Sequence, residues 1–522
     1  MRRILLTSIC FLACTVGTQA QRGANNDWVT DNSDAQRTAT IKGDAKINKD
    51  SVAKPGAVQF LWKLKLKNTP NQLNNLSAPA TLERLIGYRG FRMLGFIAGS
   101  GDNLFTIDTD LGRMEWEKKL PTSSAASAST LACPGGMTTS IVRPTNSMIA
   151  AAGGGFGPGR NQPAKSTVGT PWEGAANLKD VRPTPQFAGP PPGAQQGPTR
   201  PNLPPMGGGF GGSANVIYAL ASDGMLHSMH LSGGQEYQPP IKFLPPGANA
   251  NGLIVVNGKA FAVAANSCNG VANGLWAYDF EAKQVQTWKG EVVGSAGAAF
   301  GGDGTAYVTT KNGVTAIDPK TLEAKGSYSA SGQEFSSSPV VFEFKGKTMI
   351  AAATKTGSVH LLDAGNLSAA IATTPAGKDA NPNALASWQD ASGTRWILAP
   401  TDKAIVAWKV VEQGGSLSLQ QGWTSRELVA PLTPTIINGV VLATASGEFR
   451  TSDSKMTAAQ RAARSKPAVI YALDGSTGKE LWNSGTTIKS FARGNALSGG
   501  MGQFYLTTYD GTFYAFGFPM EH

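Results

Sequence analysis

The sequence predicts an all-β protein, an eight-bladed β-propeller whose blades are four-stranded antiparallel sheets. Three observations lead there. A short apolar strand recurs eight times, its copies settle to a basal spacing near forty residues, and each end of the chain carries a strand that the other end lacks.

The first twenty residues read as a secretory signal peptide. Arg2 and Arg3 precede an apolar run from Ile4 to about Val16, and Thr18-Gln19-Ala20 offers a small-x-small site with cleavage before Gln21. Cys14 after Leu12-Ala13 is an alternative lipidation site, with Phe11 a poor residue three places before it. The run is too short to anchor in a bilayer, and no later segment approaches ~18 continuous apolar residues. The expectation is a periplasmic or secreted protein without a transmembrane anchor.

Residues 21–59 then lead into a propeller spanning 60–519. The recurring strand appears as NLFTID (103–108), VIYALA (216–221), GLWAYD (274–279), GVTAID (313–318), SVHLLD (358–363), AIVAWK (404–409), VIYALD (469–474) and TFYAFG (512–517). Successive copies end 113, 58, 39, 45, 46, 65 and 43 residues apart, which suits one four-stranded blade per copy with the run as third strand. Around the seventh copy, LTPTIINGVVLATAS (432–446) supplies the first two strands, joined by Asn438-Gly439, a pair that tolerates φ > 0 in a hairpin. The last copy runs out before a fourth strand, whereas Phe60 to Leu66 is a fourth strand without a third. Pairing the two closes the ring and removes two exposed sheet edges. Lys63, Lys65 and Lys67 then alternate on the outermost strand as a solvated edge.

Two spacings are long. Residues 153–212 are expected between the second and third strands of blade two, and 447–468 between the same strands of blade seven, so that both project from one face. The first insertion has 27 Gly or Pro among its 60 residues and too few apolar anchors for a core. Its GGGFGPGR lacks the GK[ST] ending and following helix of a phosphate cradle. In the second, Met456 to Arg464 is the one helix-like patch of the chain.

Composition narrows the chemistry. With 63 Gly and only 16% charged residues, strands divided by Gly, Asn and Asp dominate. The net charge of +11 is diffuse, and export excludes most nucleic-acid roles; an envelope protein or an anionic envelope polymer is the partner class left open. Four histidines, no CxxC and no CxxCH make a metal cluster or a covalently bound c-type haem improbable. His227 and His230, three apart on a strand, point to opposite faces. Ser336, Ser337 and Ser338 have no histidine in a recognisable partner position, so nucleophilic catalysis is not expected. The mature chain keeps Cys133 and Cys268. A loop entering a blade and a loop between its second and third strands share a face, which brings these two within reach of a disulfide; two free thiols are the alternative.

The pattern Ala472-x-Asp474-x3-Gly478-x3-Trp482, echoed by Asp108, Gly112 and Trp116, resembles the tryptophan-docking repeat of pyrroloquinoline-quinone (PQQ) type β-propellers. That family holds quinoprotein alcohol dehydrogenases and the periplasmic scaffold of the outer-membrane assembly machinery. The resemblance covers about residues 27–519. It implies structural roles for the three marker residues: Asp binds turn N–H groups, Gly takes a left-handed bend, and Trp packs on the neighbouring blade. It also implies that a dehydrogenase member needs PQQ with calcium, an Asp base, and a quinone stacked between a ring of adjacent cysteines and a Trp. No adjacent cysteines remain in the mature chain. The expectation is therefore a binding or scaffold protein of the cell envelope, with a PQQ-dependent alcohol or sugar dehydrogenase as the rival reading. Channel-mouth candidates for a ligand are Trp388, Asp390, Arg426 and Arg493; no metal ligand or catalytic residue is assigned.

Overall fold

A computed structural model describes residues 27–87, 90–123, 129–149, 215–377 and 380–519. The proposed signal peptide, Cys14 and the Gly/Pro-rich insertion 153–212 lie outside them.

Eight sheets radiate from one axis. Blade one holds Ala80–Gly87, Gly90–Gly99, Asn103–Asp108 and Arg113–Lys119 in that order from the axis outward. Blades three to six repeat the plan, from Asn249–Val256 through Ser416–Thr424. Blade seven consists of Thr435–Ile437, Val440–Ala445, Val469–Asp474 and Glu480–Asn483. Its first hairpin turns on Asn438 and Gly439 at φ 46° and 79°, the left-handed pair the sequence anticipates.

Ring closure is by the two ends of the chain. Blade eight takes Leu497–Gly500, Gln503–Thr507 and Thr512–Gly517 from the C-terminal end, and Gln59–Lys65 pairs antiparallel with Thr512–Gly517 as its outer strand. The apolar core lies between the sheets. Second and third strands are buried on both faces, as in Val440–Ala445, which explains why they read as continuous apolar runs rather than alternating ones.

Blade two corrects the sequence reading by one strand. Val216–Leu220 is its second strand, bridged at Tyr218 to Val142, and Met225–His230 and Glu236–Lys242 follow outward. VIYALA is thus not the third strand. The 153–212 insertion consequently falls between the first and second strands and leaves from the face opposite the 447–468 insertion, which does lie between strands two and three of its blade. An apolar run buried on both sides looks the same in either position, and this ambiguity caused the slip.

The docking residues join blades in sequence. Gly112, at φ 63°, receives the Trp62 ring of blade eight, whose Nε1 donates to the Thr109 carbonyl at 3.0 Å. Trp116 docks in turn on Gly234 of blade two and donates to the Leu231 carbonyl at 2.9 Å. Trp423 of blade six docks on Gly478, donating to Gly475 at 2.8 Å, and Trp482 packs edge-on against Phe504 and Phe516 of blade eight. Asp108 and Asp474 accept the N–H groups of their turns at Leu111 and Ser476. Each marker glycine receives the indole of the preceding blade, and each marker Trp reaches the following one.

Candidate functional site

The face that carries the inter-blade loops and the loops between second and third strands opens into a funnel of about 1810 Å³. A segment no repeat accounts for reaches it through Asp31. Residues 27–41 run inside the ring as a strap, and nearly all of them are buried. Their backbone carbonyls accept from the innermost strands: Trp28 from Thr81, Val29 from Arg143, Ala35 from Phe300, Gln36 from Val341, Thr38 from Ser387 and Ala39 from Ile436, all at 2.8–3.0 Å. The Thr30 hydroxyl donates to Leu253 of blade three at 2.8 Å. Thr40–Ile41 finally adds to blade seven as a parallel strand beside Thr435–Ile437.

Arg37 lies at the centre of this strap and is fully buried. Its guanidinium donates to the carbonyls of Ala298, Gly252 and Asp31 and to the Thr30 hydroxyl, at 2.7–2.9 Å. Burial draws its pKa down to about 10, opposed by Asp31 and Asp34, so it stays cationic at neutral pH. Asp31 reaches the funnel floor, where Ser140 donates to it at 2.6 Å and Asn495 also bonds it. Burial raises the Asp31 pKa, with Arg37, Ser140 and Asn495 pulling the other way.

The funnel wall is electrically polarised. From blades four to six come Lys311, Lys355 and Lys403, paired with Glu291, Glu334 and Glu427, together with Asp402. The sector of blades seven and eight contributes Arg450, Arg461, Arg464, Lys466 and Arg493 against Glu448 alone. Glu448 pairs with Arg450 and Arg493. Arg461 is spent on the carbonyls of Thr451, Asp453 and Met456, which fold the insertion around the helix Ala458–Arg464. Arg464, over the Phe449 ring at 5.4 Å, and Lys466 remain exposed toward solvent.

The four candidates named from sequence do not converge. Arg493 alone lines the funnel, bonded to Glu448 at 2.8 Å and to Asn74 at 2.7 Å. Arg426 stands outside it, paired with Glu480 at 2.8 Å and lying over Tyr471. Trp388 and Asp390 belong to the first strand of blade six and its turn, on the face opposite the funnel, and so are not channel-mouth residues. Trp388 is buried parallel to Trp396, and Asp390 accepts from the Trp396 Nε1 at 2.9 Å and from the N–H groups of Ser392 and Thr394. Those bonds hold the Asp390 carboxyl below its ordinary range against the opposing effect of burial. The channel-mouth expectation for this loop does not hold because turns within a blade and loops between blades share the same polar, turn-forming composition.

Cys133 and Cys268 are joined by a disulfide with Cα atoms 5.6 Å apart, beside the funnel rim. His227 is buried and His230 exposed, on opposite faces of their strand. His360 sits between blades, with its Nδ1 2.8 Å from the Tyr328 hydroxyl and its Nε2 2.9 Å from Gln333 Oε1; burial lowers its pKa to about 4.

The donor set does not fit a calcium-bound quinone. Among the described residues no three His, Cys, Asp or Glu side chains converge, no tryptophan lines the funnel, and the two cysteines are engaged with each other at its rim. Among the described residues Asp31 is the carboxylate that the strap brings to the funnel, and it is already bonded by Ser140 and Asn495 above the buried Arg37.

Fold and site together define an eight-bladed β-propeller with a strapped axis and a polarised funnel. Among solved structures, the quinohemoprotein alcohol dehydrogenase of Comamonas testosteroni is similar with a TM-score of 0.59 at 14% identity, over 96% of this chain and 82% of that one. A europium-containing methanol dehydrogenase gives 0.52 at 12%, over 94% and 98%, and the computationally designed Ika8 protein gives 0.51 at 12%, over 87% and 98%. No family model and no curated protein matches the sequence. At these identities the likeness shows the fold, and a fold shared by dehydrogenases and a designed protein carries no activity of its own.

Proposed function

We propose that this chain is an exported binding protein of the cell envelope that takes anionic groups of a partner in the basic sector of its funnel. The observation that carries the reading is the charge asymmetry of the wall, five cations against one carboxylate across blades seven and eight. Two of those cations, Arg464 and Lys466, are exposed and form no ion pair among the described residues. A funnel this wide suits an extended chain rather than a small substrate, and a concave wall of one sign concentrates counter-charge. The signal-like N-terminus and the disulfide support an oxidising envelope compartment. No helix among the described residues is long and apolar enough to cross a membrane.

The test is titration of the purified mature protein with poly-L-glutamate and, separately, with polyphosphate, which stand for an acidic protein segment and an anionic polymer. Binding to at least one, weakened by salt and about tenfold by Arg464→Ala with Lys466→Ala, is expected. No binding to either at low salt refutes the proposal. The rival dehydrogenase reading draws on fold likeness alone and is tested by the melting temperature with PQQ plus calcium. A ligand that binds only the folded state at a hundredfold excess over its Kd adds ~2.7 kcal/mol. An unchanged melting temperature is the expected result, and a rise would restore the enzyme.

A further inference from the structure

We infer that the strap of residues 27–41 is a resident axial ligand of the ring: a piece of the chain's own backbone fills the axis and takes the place of a bound cofactor. The first support is the bonding pattern. An open propeller leaves the inner edges of its first strands facing the axis, and those edges need partners. Here the strap supplies partners for blades one to seven in chain order, and Asp31 adds the loop into blade eight through Asn495. A single segment thereby touches every blade, as a central ligand does.

The second support is strain. Asn32, Ser33, Arg37 and Ala39 all have φ between 54° and 77°. Side chains other than glycine rarely hold that conformation, and Ser, Arg and Ala have no local reason to adopt it. Such a backbone persists only where its surroundings impose it. The ring therefore moulds the strap, rather than the strap folding by its own preference.

The third support is burial of charge. A fully buried guanidinium needs its donors satisfied, and Arg37 meets carbonyls of blades three and four together with two groups of its own strap. It links the strap to the ring as a cationic ligand group would. Lys42 and Gly43 are exposed where the chain leaves the strap, with the Gly43 N–H donating to Asn438 of blade seven at 2.8 Å, before the chain crosses to the outer strand of blade eight.

The experiment uses the full-length mature chain with a protease site inserted between Lys42 and Gly43. After folding, the link is cut and the product passed through gel filtration. The strap fragment is expected to stay with the ring, and to be lost from the same cut chain carrying Arg37→Met. In uncut Arg37→Met, the amides of Phe300, Val341, Ser387 and Ile436 are expected to exchange hydrogen about a hundredfold faster, while amides pairing Gln59–Lys65 with Thr512–Gly517 keep their protection. Release of the strap on cutting the otherwise unaltered chain, or unchanged exchange at those four amides, would overturn the inference. Neither readout depends on anion binding, so this test and that of the proposed function fail independently.

Discussion

Replacing Gly478 with alanine tests the blade-docking geometry against its own internal control. At Gly478 φ is 73°, and an added Cβ would lie 2.7 Å from Trp423 Cε3 and 2.8 Å from its Cδ2. The left-handed conformation costs a non-glycine residue about 1–2 kcal/mol. Crowding a rigid indole adds about 1–3 kcal/mol, and displacing it breaks the bond to the Gly475 carbonyl, worth about 1 kcal/mol. The total is about 3–6 kcal/mol. Gly485, in the next turn of the same region at φ 54°, has nothing within 4 Å of its added Cβ, so Gly485→Ala carries only the conformational cost. With ~2.1 cal/mol/K of unfolding entropy per residue over 522 residues, 1 kcal/mol corresponds to ~1 °C. Differential scanning calorimetry should therefore show Gly478→Ala melting ~3–6 °C below the parent and Gly485→Ala ~1–2 °C below. In a Trp423→Leu background the Gly478→Ala cost should shrink to that of Gly485→Ala, because the clash has gone. Equal losses at the two glycines in the parent background would refute the docking argument.

Other outcomes follow from the same structure. Cys133→Ser with Cys268→Ser opens a closure spanning 135 residues and should lower stability by about 2–5 kcal/mol, read by denaturant unfolding against the oxidised parent. His360 binds its proton at pH 6.5 when unfolded but only near pH 4 when folded, so its contribution holds above pH 6.5 and is lost as pH falls to about 4. The raised Asp31 and Asp34 act in the opposite sense, so the check is the difference between parent and His360→Gln, whose acid-side loss should be smaller by up to about 3 kcal/mol. Replacing 447–468 by an Asn-Gly turn should leave the ring folded, since Val440–Ala445 and Val469–Asp474 pair directly, while poly-anion binding falls to background in the titration.

How much of this was legible depended on whether a feature repeats. Third strands announced themselves because burial on both faces demands unbroken apolar runs, and the closing pair was visible as two incomplete blades. Blade two misled because its true third strand, MLHSMH, carries two histidines and looks polar beside VIYALA. A better signal was available: Asp223-Gly224 precedes MLHSMH as Asp510-Gly511 precedes TFYAFG, and Gly234 follows His230 by the offset that separates Gly112 from Asp108. The strap gave no signal at all. Its Asp, Asn, Ser, Gln and Arg residues have the composition of a polar linker, and their partners are backbone groups of strands far away in sequence. The candidate residues failed for a related reason: polar turn composition does not say which face of the ring a turn occupies.

The strap and the insertion together account for the shape of the proposed binding site. An eight-bladed ring has an axial channel, and the inner strand edges must be satisfied by water, by a ligand or by protein. Residues 27–41 satisfy those edges in blades one to seven, and Asp31 of the strap faces the funnel. In the proposed function, recognition falls to the loops around that funnel. Most of those are fixed by the repeat and carry balanced Lys–Glu pairs, which cancel one another's fields. Among the described loops, that of blade seven departs from the repeat far enough to bring unbalanced charge. Both departures leave the blades intact, because neither replaces a second or third strand or a docking glycine. A wheel whose stability comes from blade-to-blade packing can therefore exchange an axial ligand for a strap and gain a new binding wall without renegotiating its core.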